Sequence, residues 1–278
     1  MTGPDEPARG GLYPAGVLDL PRSARLALWG AALSAGTAGV DVAAVLRAVQ
    51  RDDEPHTLDG SDVGPAALAD WLRGLPREVT WRLVLPAAGD PHDLTGPAAT
   101  SVAATDAGEA VAVTGPGGVL VLVPEVTEFG SELEPGALVQ WRVLPGSPLR
   151  PLAASLADAD RVLRQALRTA TETLASLEVS RWREDAAERI AAVRDGGLPR
   201  GALPPGAPAR LATVLATAVR VRAVVSLALE DDGAAVSGWE ADRRARALRD
   251  VDAVARRSTA DAVNAALAGH AERSSTSR

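Results

Sequence analysis

Two acids and a histidine lie within four residues of one another after an apolar segment of the chain. The stretch LPAAGDPHDLTGP, residues 85–97, contains Asp90, His92 and Asp93. A histidine titrates near neutral pH, and a neighbouring carboxylate can orient its ring as a general base. If these side chains converge at the end of a strand, they form a catalytic or ligand-binding site.

The same stretch is also typical of a chain that turns as it leaves a sheet. Gly-Asp-Pro and Gly-Pro follow the apolar segment. Aspartates in such turns commonly bond to nearby backbone. The chain has no GxSxG segment, which would place a nucleophilic serine at a strand end. We therefore expect a structural turn here, with the ligand site as the alternative.

Two arginines are candidates for anion contacts in such a site. Arg82 lies in VTWRLVLP and Arg142 in VQWRVLP, two similar segments that we predict as strands. Each arginine follows a tryptophan, so adjacent side chains point to opposite faces of the sheet. Arginine forms paired hydrogen bonds with carboxylate and phosphate groups. The predicted ligand site therefore comprises Asp90, His92, Asp93, Arg82 and Arg142.

The residue types that are missing exclude several kinds of chemistry. The chain has 278 residues and no cysteine, and its 29 basic residues other than histidine are all arginine. Without lysine there is no Schiff base and no P-loop lysine. Without cysteine there is no disulfide, thiolate nucleophile or iron–sulfur cluster. The three histidines, His56, His92 and His270, lie far apart in sequence. We predict no metal site and no cofactor.

The chain combines helical and strand patterns, which predicts the α+β class. Residues 19–150 hold three short N-terminal helices and a small, mostly antiparallel sheet. The clearest hairpin in that sheet pairs EAVAVTG (109–115) with GVLVLVP (118–124). Its glycines permit the positive φ angles that tight hairpin turns require. We expect the helices to cover one side of the sheet.

The second half of the chain is predicted to be helical. Residues 151–270 carry apolar side chains at helical spacing, which indicates a C-terminal antiparallel helical bundle. The apolar pattern leaves open whether residues 155–194 form one helix or two. Residues 1–18 and 271–278 are predicted to be a disordered lead and a disordered tail.

The last predicted helix has the densest charge in the chain. Its segment EADRRARALRDVDAVARR contains the candidate partner-binding residues Arg243, Arg246, Arg249 and Asp250. Charges four residues apart, such as Arg246 with Asp250 and Asp252 with Arg256, lie on one helix face and can pair. The segment fits a solvated outer face, and it also fits a polar rim for a protein partner.

Nucleic-acid binding is a further alternative, through a helix-turn-helix at residues 22–51. Two short helices there are joined by GTAG, and the second carries Arg47 and Arg51 beside three aspartates. A helix that reads DNA should show a basic face, which this one lacks. The formal net charge of −7 also disfavours contact with phosphates.

Membrane insertion and secretion are not expected. No uninterrupted apolar segment reaches the roughly 18 residues that a membrane helix needs. The N-terminal segment MTGPDEPARGGLYPAG lacks the basic and apolar regions of a signal peptide. We therefore expect a cytoplasmic protein.

RLVLPAAGDPHDLTGP and, downstream, LALEDDGAAVS resemble segments of an uncharacterised protein family of high-GC actinobacteria. The resemblance covers most of residues 80–268. It implies no activity, cofactor or partner, and it transfers no site residues.

The leading functional hypothesis is a non-catalytic cytoplasmic protein that works through protein–protein contacts or self-association. It rests on the lack of a catalytic constellation in the sequence and on the long helical region. The alternative is an enzyme or small-ligand binder with a pocket near residues 90–93. The second alternative is the helix-turn-helix nucleic-acid binder at residues 22–51.

Overall fold

The structure, a computed structural model, describes residues 19–60, 66–90, 94, 96–131, 134–150, 155–176, 197–230 and 238–276. Two residues of the predicted ligand site, His92 and Asp93, lie outside this part of the chain. Residues 177–196 also lie outside it, so the choice between one helix and two over 155–194 stays open.

The described residues form seven helices and six strands, which confirms the α+β class. The helices are α1 (Arg22–Ser34), α2 (Val42–Gln50), α3 (Leu68–Gly74), α4 (Ala98–Ala107), α5 (Leu156–Ser176), α6 (Ala209–Glu230) and α7 (Gly238–Thr276). The strands are β1 (Thr57–Asp59), β2 (Ala66–Ala67), β3 (Thr80–Val84), β4 (Ala110–Gly115), β5 (Gly118–Gly130) and β6 (Pro135–Pro145).

The six strands form one sheet in the order β2-β1-β6-β5-β4-β3. Strand β1 runs parallel to β6, with Leu58 opposite Trp141, and the other neighbouring strands are antiparallel. The sheet is therefore mixed, which corrects the prediction of a mostly antiparallel sheet. The segment RDDEPHTLDGSD resembles a loop in sequence, yet it contains β1. Its pairing with β6 joins residues about 80 positions apart, which a local pattern does not encode.

Local sequence signals place several element boundaries. Asp41 caps α2, since its side chain accepts a hydrogen bond from the backbone N–H of Ala44 at 2.7 Å. Ser155 caps α5 in the same way, with the N–H of Asp158 at 3.0 Å. The predicted β4–β5 hairpin is confirmed, and Gly118 in it has a φ of +110°.

Both faces of the sheet are covered by helices. On one face Trp81, Leu83 and Trp141 are buried in a core that also contains residues of α1, α2, α5, α6 and α7. On the other face a smaller cluster, which includes Val121 and Ala104, packs under α4. We predicted helices on one side of the sheet only. This prediction is wrong, because α4 covers the second face.

The C-terminal helices share the core of the sheet. Helices α6 and α7 run antiparallel, since Arg222 binds Asp252 and Arg244 reaches the carbonyl of Ala228. Helix α7 also packs on α1, α5 and β3. The predicted bundle is therefore not confirmed as a unit closed on itself. Helix α7 continues to Thr276, past residue 271 where a disordered tail was predicted.

Helix α6 is the one helix in the described chain that is long and apolar enough, over Ala209–Leu229, to cross a membrane. Its sequence contains no uninterrupted apolar segment of that length, because Arg210, Arg220 and Arg222 fall within it. Its residues Leu211, Leu215 and Ala218 are buried in the core. A core helix of a folded domain meets the same criteria of length and composition.

Candidate functional site

Asp90 lies at the end of a tight turn. The backbones of Ala87 and Asp90 exchange two hydrogen bonds of 2.9 Å, and Gly89 between them has a φ of +78°. This geometry confirms a turn at the start of the stretch GDPHDLTGP. The side chain of Asp90 is therefore positioned by a rigid local structure.

The Asp90 carboxylate binds two arginines of α7. Its Oδ2 accepts from Nη2 of Arg256 at 2.6 Å and from Nε of Arg257 at 2.8 Å. Burial alone would raise the pKa of Asp90, but these two guanidinium groups outweigh it and hold the pKa below its ordinary value. The carboxylate is ionised at neutral pH, and its Oδ2 is already engaged by two donors.

The same part of α7 covers the free edge of the sheet. Arg256 donates to the carbonyl of Leu85. Asn264, the sole asparagine of the chain, accepts from the N–H of Leu83 at 2.8 Å and donates to its carbonyl at 2.9 Å. We call Asp90, Arg256, Arg257, Asn264 and the backbone of residues 83–85 the α7–β3 seam. Its side chains satisfy backbone groups that an edge strand otherwise leaves open.

Arg82 and Arg142 do not converge on Asp90. They lie on the same face of the sheet, but two strands, β4 and β5, lie between β3 and β6, which puts about 14 Å between them at the usual strand spacing. Arg142 is exposed and donates to Glu125 at 3.0 Å on the neighbouring strand. The structure thus does not bring the described members of the predicted ligand site together.

The predicted partner-binding residues lie on the outer face of α7. Arg243, Arg246, Arg249 and Asp250 are all exposed. Arg243 stacks over the indole of Trp239 at 5.4 Å, and Trp239 is itself 63 % exposed. Among the described residues, neither Arg246 nor Arg249 has an ion-pair partner. We call Trp239, Arg243, Arg246 and Arg249 the α7 outer face.

Neither predicted charge pair on α7 forms, since Arg246 has no ion-pair partner in the described part of the chain. Asp252 binds Arg222 of α6 at 3.0 Å, and Arg256 belongs to the α7–β3 seam. Asp252 and Arg256 bind residues of other elements rather than each other. Asp252 is partly buried and Arg256 is buried, and a buried charge needs a partner on the element it packs against.

The β5–β6 hairpin extends beyond the rest of the sheet. Strand β4 pairs with β5 up to Leu122, and β1 pairs with β6 only at residues 140–142. We call the described residues beyond, 124–131 and 134–138, the arm. At its tip the ring of Phe129, the sole phenylalanine of the chain, lies directly over Gly136. Phe129 is 47 % exposed and its diagonal neighbour Leu138 is 51 % exposed, so the arm carries an apolar patch.

The helices of the predicted helix-turn-helix pack on each other and on the core. Helix α2 buries Ala44, Val45, Ala48 and Val49 and exposes Arg47, and Arg51 directly after the helix is exposed as well. Arg51 forms an ion pair with the buried Asp19. The second helix therefore presents one arginine to solvent, and the exposed arginine that follows it is already paired.

A buried polar chain around His56 escaped the sequence analysis. The indole N–H of Trp141 donates to Nδ1 of His56 at 3.1 Å, and Nε2 of His56 lies 3.0 Å from Oδ2 of Asp53. Arg22 binds the same carboxylate through two hydrogen bonds of 2.7 and 2.8 Å. The only signal in the sequence is the three-residue spacing of Asp53 and His56. The chain brings Arg22 and Trp141 to them from distant elements.

Burial and hydrogen bonding set the protonation of this chain. Burial lowers the pKa of His56, and the hydrogen bond to Asp53 opposes that effect without cancelling it. Burial alone would raise the pKa of Asp53, but its bonds to Arg22 and His56 lower it from 3.8 to about 2. His56 is therefore neutral and Asp53 charged at neutral pH.

The described residues contain no group of three His, Asp or Glu side chains arranged to hold a metal ion. The absence of a metal site and of a cofactor stays a prediction.

Two family models match the chain. The model of the Rv1486c-like protein N-terminal domain matches residues 23–154, and that of the Rv1486c-like protein C-terminal domain matches residues 157–260. No curated protein and no solved structure matches it.

The fold thus defines an α+β protein in which the charged α7–β3 seam joins the sheet to the C-terminal helix. The chain belongs to the Rv1486c-like family. The resemblance noted in RLVLPAAGDPHDLTGP and LALEDDGAAVS is confirmed at the level of an uncharacterised family.

Proposed function

We propose that this protein is a non-catalytic cytoplasmic protein that binds a second copy of itself. The arm of each copy lies on the α7 outer face of the other. The observation that carries the proposal is the opposite charge of two exposed surfaces, each with an exposed aromatic side chain.

The charges of the two surfaces are complementary. Residues 124–135 contain four glutamates and no basic residue, and residues 243–249 contain four arginines and no acid. Of the described arm acids, Glu125 pairs with Arg142, whereas Glu128 and Glu134 are exposed and have no cationic partner in the described chain. Surfaces of opposite charge attract each other and fix the orientation of an encounter.

Exposed aromatic side chains supply the apolar part of the contact. Aromatic residues make up only 3 % of the chain, yet Phe129 at the arm tip and Trp239 on the α7 outer face are both exposed. Buried Trp, Tyr and Arg side chains contribute most of the binding energy at protein interfaces. Covering Phe129, Leu138 and Trp239 would remove three large apolar side chains from water.

The two surfaces belong to different parts of one chain, which favours a reciprocal dimer. The arm is formed by β5 and β6, whereas α7 packs on α1, α5, α6 and β3. A two-fold axis lets each copy donate its arm and receive its partner's arm, so the dimer contains the same contact twice.

The experiment is a measurement of mass in solution over a wide range of concentration, by light scattering after gel filtration. Wild type should exceed the 28.5 kDa of one chain and approach twice that mass as concentration rises. The variant Glu128→Arg/Glu134→Arg should stay monomeric. The control Asp52→Arg/Asp106→Arg makes the same change in net charge at exposed positions elsewhere and should dimerise like wild type. A wild type that is monomeric at every concentration contradicts the proposal.

The alternative of an enzyme or ligand binder at residues 90–93 has less support. Among the described residues, the side-chain contacts of Asp90 are those of its Oδ2 with Arg256 and Arg257, and none involves a histidine. The ion pair serves the packing of α7 against β3 instead.

A further inference from the structure

We propose that a cleft beside α2 binds the phosphate group of a small soluble molecule. The cleft has a volume of about 200 Å³ and opens between α1, the last two turns of α2 and the turn PRGA at residues 199–202. We call it the arginine cleft. It is separate from the arm and from the α7 outer face.

Three arginines line this cleft and one acid faces them. Arg47 lies in the last turn of α2, Arg51 directly follows that helix, and Arg200 comes from the turn opposite. Among the described residues, the only acid in the lining is Asp19. In a molecule with a formal net charge of −7, the cleft is a local region of positive charge.

The acid is already neutralised by other arginines. Asp19 is buried and forms ion pairs with Arg51 and with Arg25, the latter at 3.5 Å. Arg25 lies behind it, in the core. Arg47 and Arg200 are exposed and have no acidic partner among the described residues. Two guanidinium groups in the cleft are therefore left without a counter-charge.

The cleft is held in shape from both sides. The indole N–H of Trp29 donates to the carbonyl of Ala202 at 3.4 Å and ties the turn to α1. Arg51 has a φ of +50°, the only positive φ of a non-glycine residue in the described ranges. Such a backbone conformation costs free energy and persists where the surrounding structure imposes it, which is commonly at binding sites. Its backbone N–H bonds to the carbonyl of Arg47, and its side chain is held by the ion pair with Asp19.

The chemistry of the lining selects a phosphate group. Arginine binds phosphate oxygens with paired, charge-assisted hydrogen bonds. Pockets for drug-sized ligands have volumes of about 300–1,000 Å³. The arginine cleft is smaller, so it fits inorganic phosphate or a small phosphate ester better than a large organic ligand.

The experiment is a calorimetric titration of the full chain with inorganic phosphate at constant ionic strength, adjusted with chloride. Wild type should bind phosphate. The variant Arg47→Gln/Arg200→Gln should lose at least tenfold in affinity, because it removes the two unpaired cations. The control Arg73→Gln/Arg161→Gln removes two exposed arginines from other helices and should bind like wild type. No binding by wild type, or equal loss in both variants, overturns the proposal.

Other carriers of phosphate are tested in the same preparation. Vesicles that contain phosphatidic acid and a duplex DNA oligonucleotide present phosphate on a membrane and on a polymer. Wild type should bind inorganic phosphate and neither of these. Binding to vesicles or DNA without a response to inorganic phosphate overturns the assignment to a small soluble ligand. A thermal shift with phosphate in wild type, absent from Arg47→Gln/Arg200→Gln, checks the result independently of heat signals.

Discussion

His56 is a histidine whose hydrogen bonds determine its tautomer. An indole N–H is only a donor, so Nδ1 of His56 must be the acceptor for Trp141. The ring proton therefore lies on Nε2 and is donated to Asp53. A second proton on Nδ1 would face the indole N–H directly. Protonation thus costs the bond to Trp141 in addition to the burial of a charge.

The sign of the resulting pH dependence follows from linkage. The pKa of His56 is below 6.5 in the folded chain, so the unfolded chain binds a proton that the folded chain does not. The free energy of unfolding should therefore fall as the pH drops below about 6.5. In His56→Gln, whose amide can accept from Trp141 and donate to Asp53, this fall should be smaller.

Urea unfolding of wild type and His56→Gln at several pH values between about 7.5 and 5.5 checks this expectation. The difference between the two proteins isolates His56 from His92 and His270. Curves of equal slope would show that His56 takes up its proton equally in both states, contrary to the hydrogen-bond assignment.

At the scale of elements, one asparagine links the last helix to the edge of the sheet. Asn264→Ala leaves the N–H and the carbonyl of Leu83 without their partners in a buried place. An unsatisfied buried polar group costs about 1–3 kcal/mol, so the free energy of unfolding should fall by roughly 2–4 kcal/mol. Chemical denaturation of wild type and Asn264→Ala measures this difference in the free energy of unfolding.

A matched control lies on the same helix. Ser258 is equally buried, and its hydroxyl has no hydrogen-bond partner in the described chain. Ser258→Ala should change the free energy of unfolding by less than about 1 kcal/mol, because the hydroxyl that it removes makes no hydrogen bond. If both variants lose the same stability, the seam bonds of Asn264 do not stabilise the fold.

Gly30 permits the close approach of α1 to β3. A Cβ at Gly30 would lie 2.6 Å from Cζ2 and Cη2 of Trp81. The indole cannot move away freely, since its N–H donates to Ser34 at 3.1 Å, one turn along α1. Gly30→Ala should therefore destabilise by about 1–3 kcal/mol, although alanine favours helices by roughly 1 kcal/mol over glycine.

The control for Gly30 is another helical glycine. Gly74 ends α3, and a Cβ there would meet nothing within 4 Å. Gly74→Ala should leave the melting temperature unchanged or raise it. If Gly30→Ala melts no lower than Gly74→Ala, the space between Gly30 and Trp81 accommodates a Cβ, contrary to this expectation.

The elements that the sequence predicted are those with a local cause. The β4–β5 hairpin follows from its glycines, and α2 and α5 begin at the capping residues Asp41 and Ser155. Strand β1 is not among the predicted elements, and the sequence of residues 94–108, where α4 lies, allows either a short helix or a bare connection. Strand β1 is three residues long, and its pairing with β6 depends on a distant partner rather than on its own side chains.

The candidate sites show the same limit. The exposure of Arg243, Arg246 and Arg249 follows from helical spacing alone. Arg256 lies 166 positions from Asp90, and Trp141 lies 85 positions from His56. No spacing in the sequence indicates either of these two pairs. The closeness of Asp90 and His92 in sequence suggested a catalytic site. In the structure the carboxylate of Asp90 binds arginines of α7 instead.

At the scale of the whole molecule, the acidic net charge conceals an uneven distribution. The arm is acidic, and the α7 outer face and the arginine cleft are basic. A uniformly acidic molecule would repel its copies, whereas this distribution lets two copies attract each other in one orientation. Self-association should therefore weaken as salt screens these exposed charges.

The most direct measurement mixes two charge-reversed variants. Glu128→Arg/Glu134→Arg and Arg246→Glu/Arg249→Glu should each be monomeric alone, because each places like charges in both contacts of the dimer. In an equal mixture both contacts again join opposite charges, so sedimentation velocity should show a one-to-one heterodimer. A mixture that stays monomeric while wild type dimerises, or variants that each dimerise alone, would contradict the account of the arm and the α7 outer face.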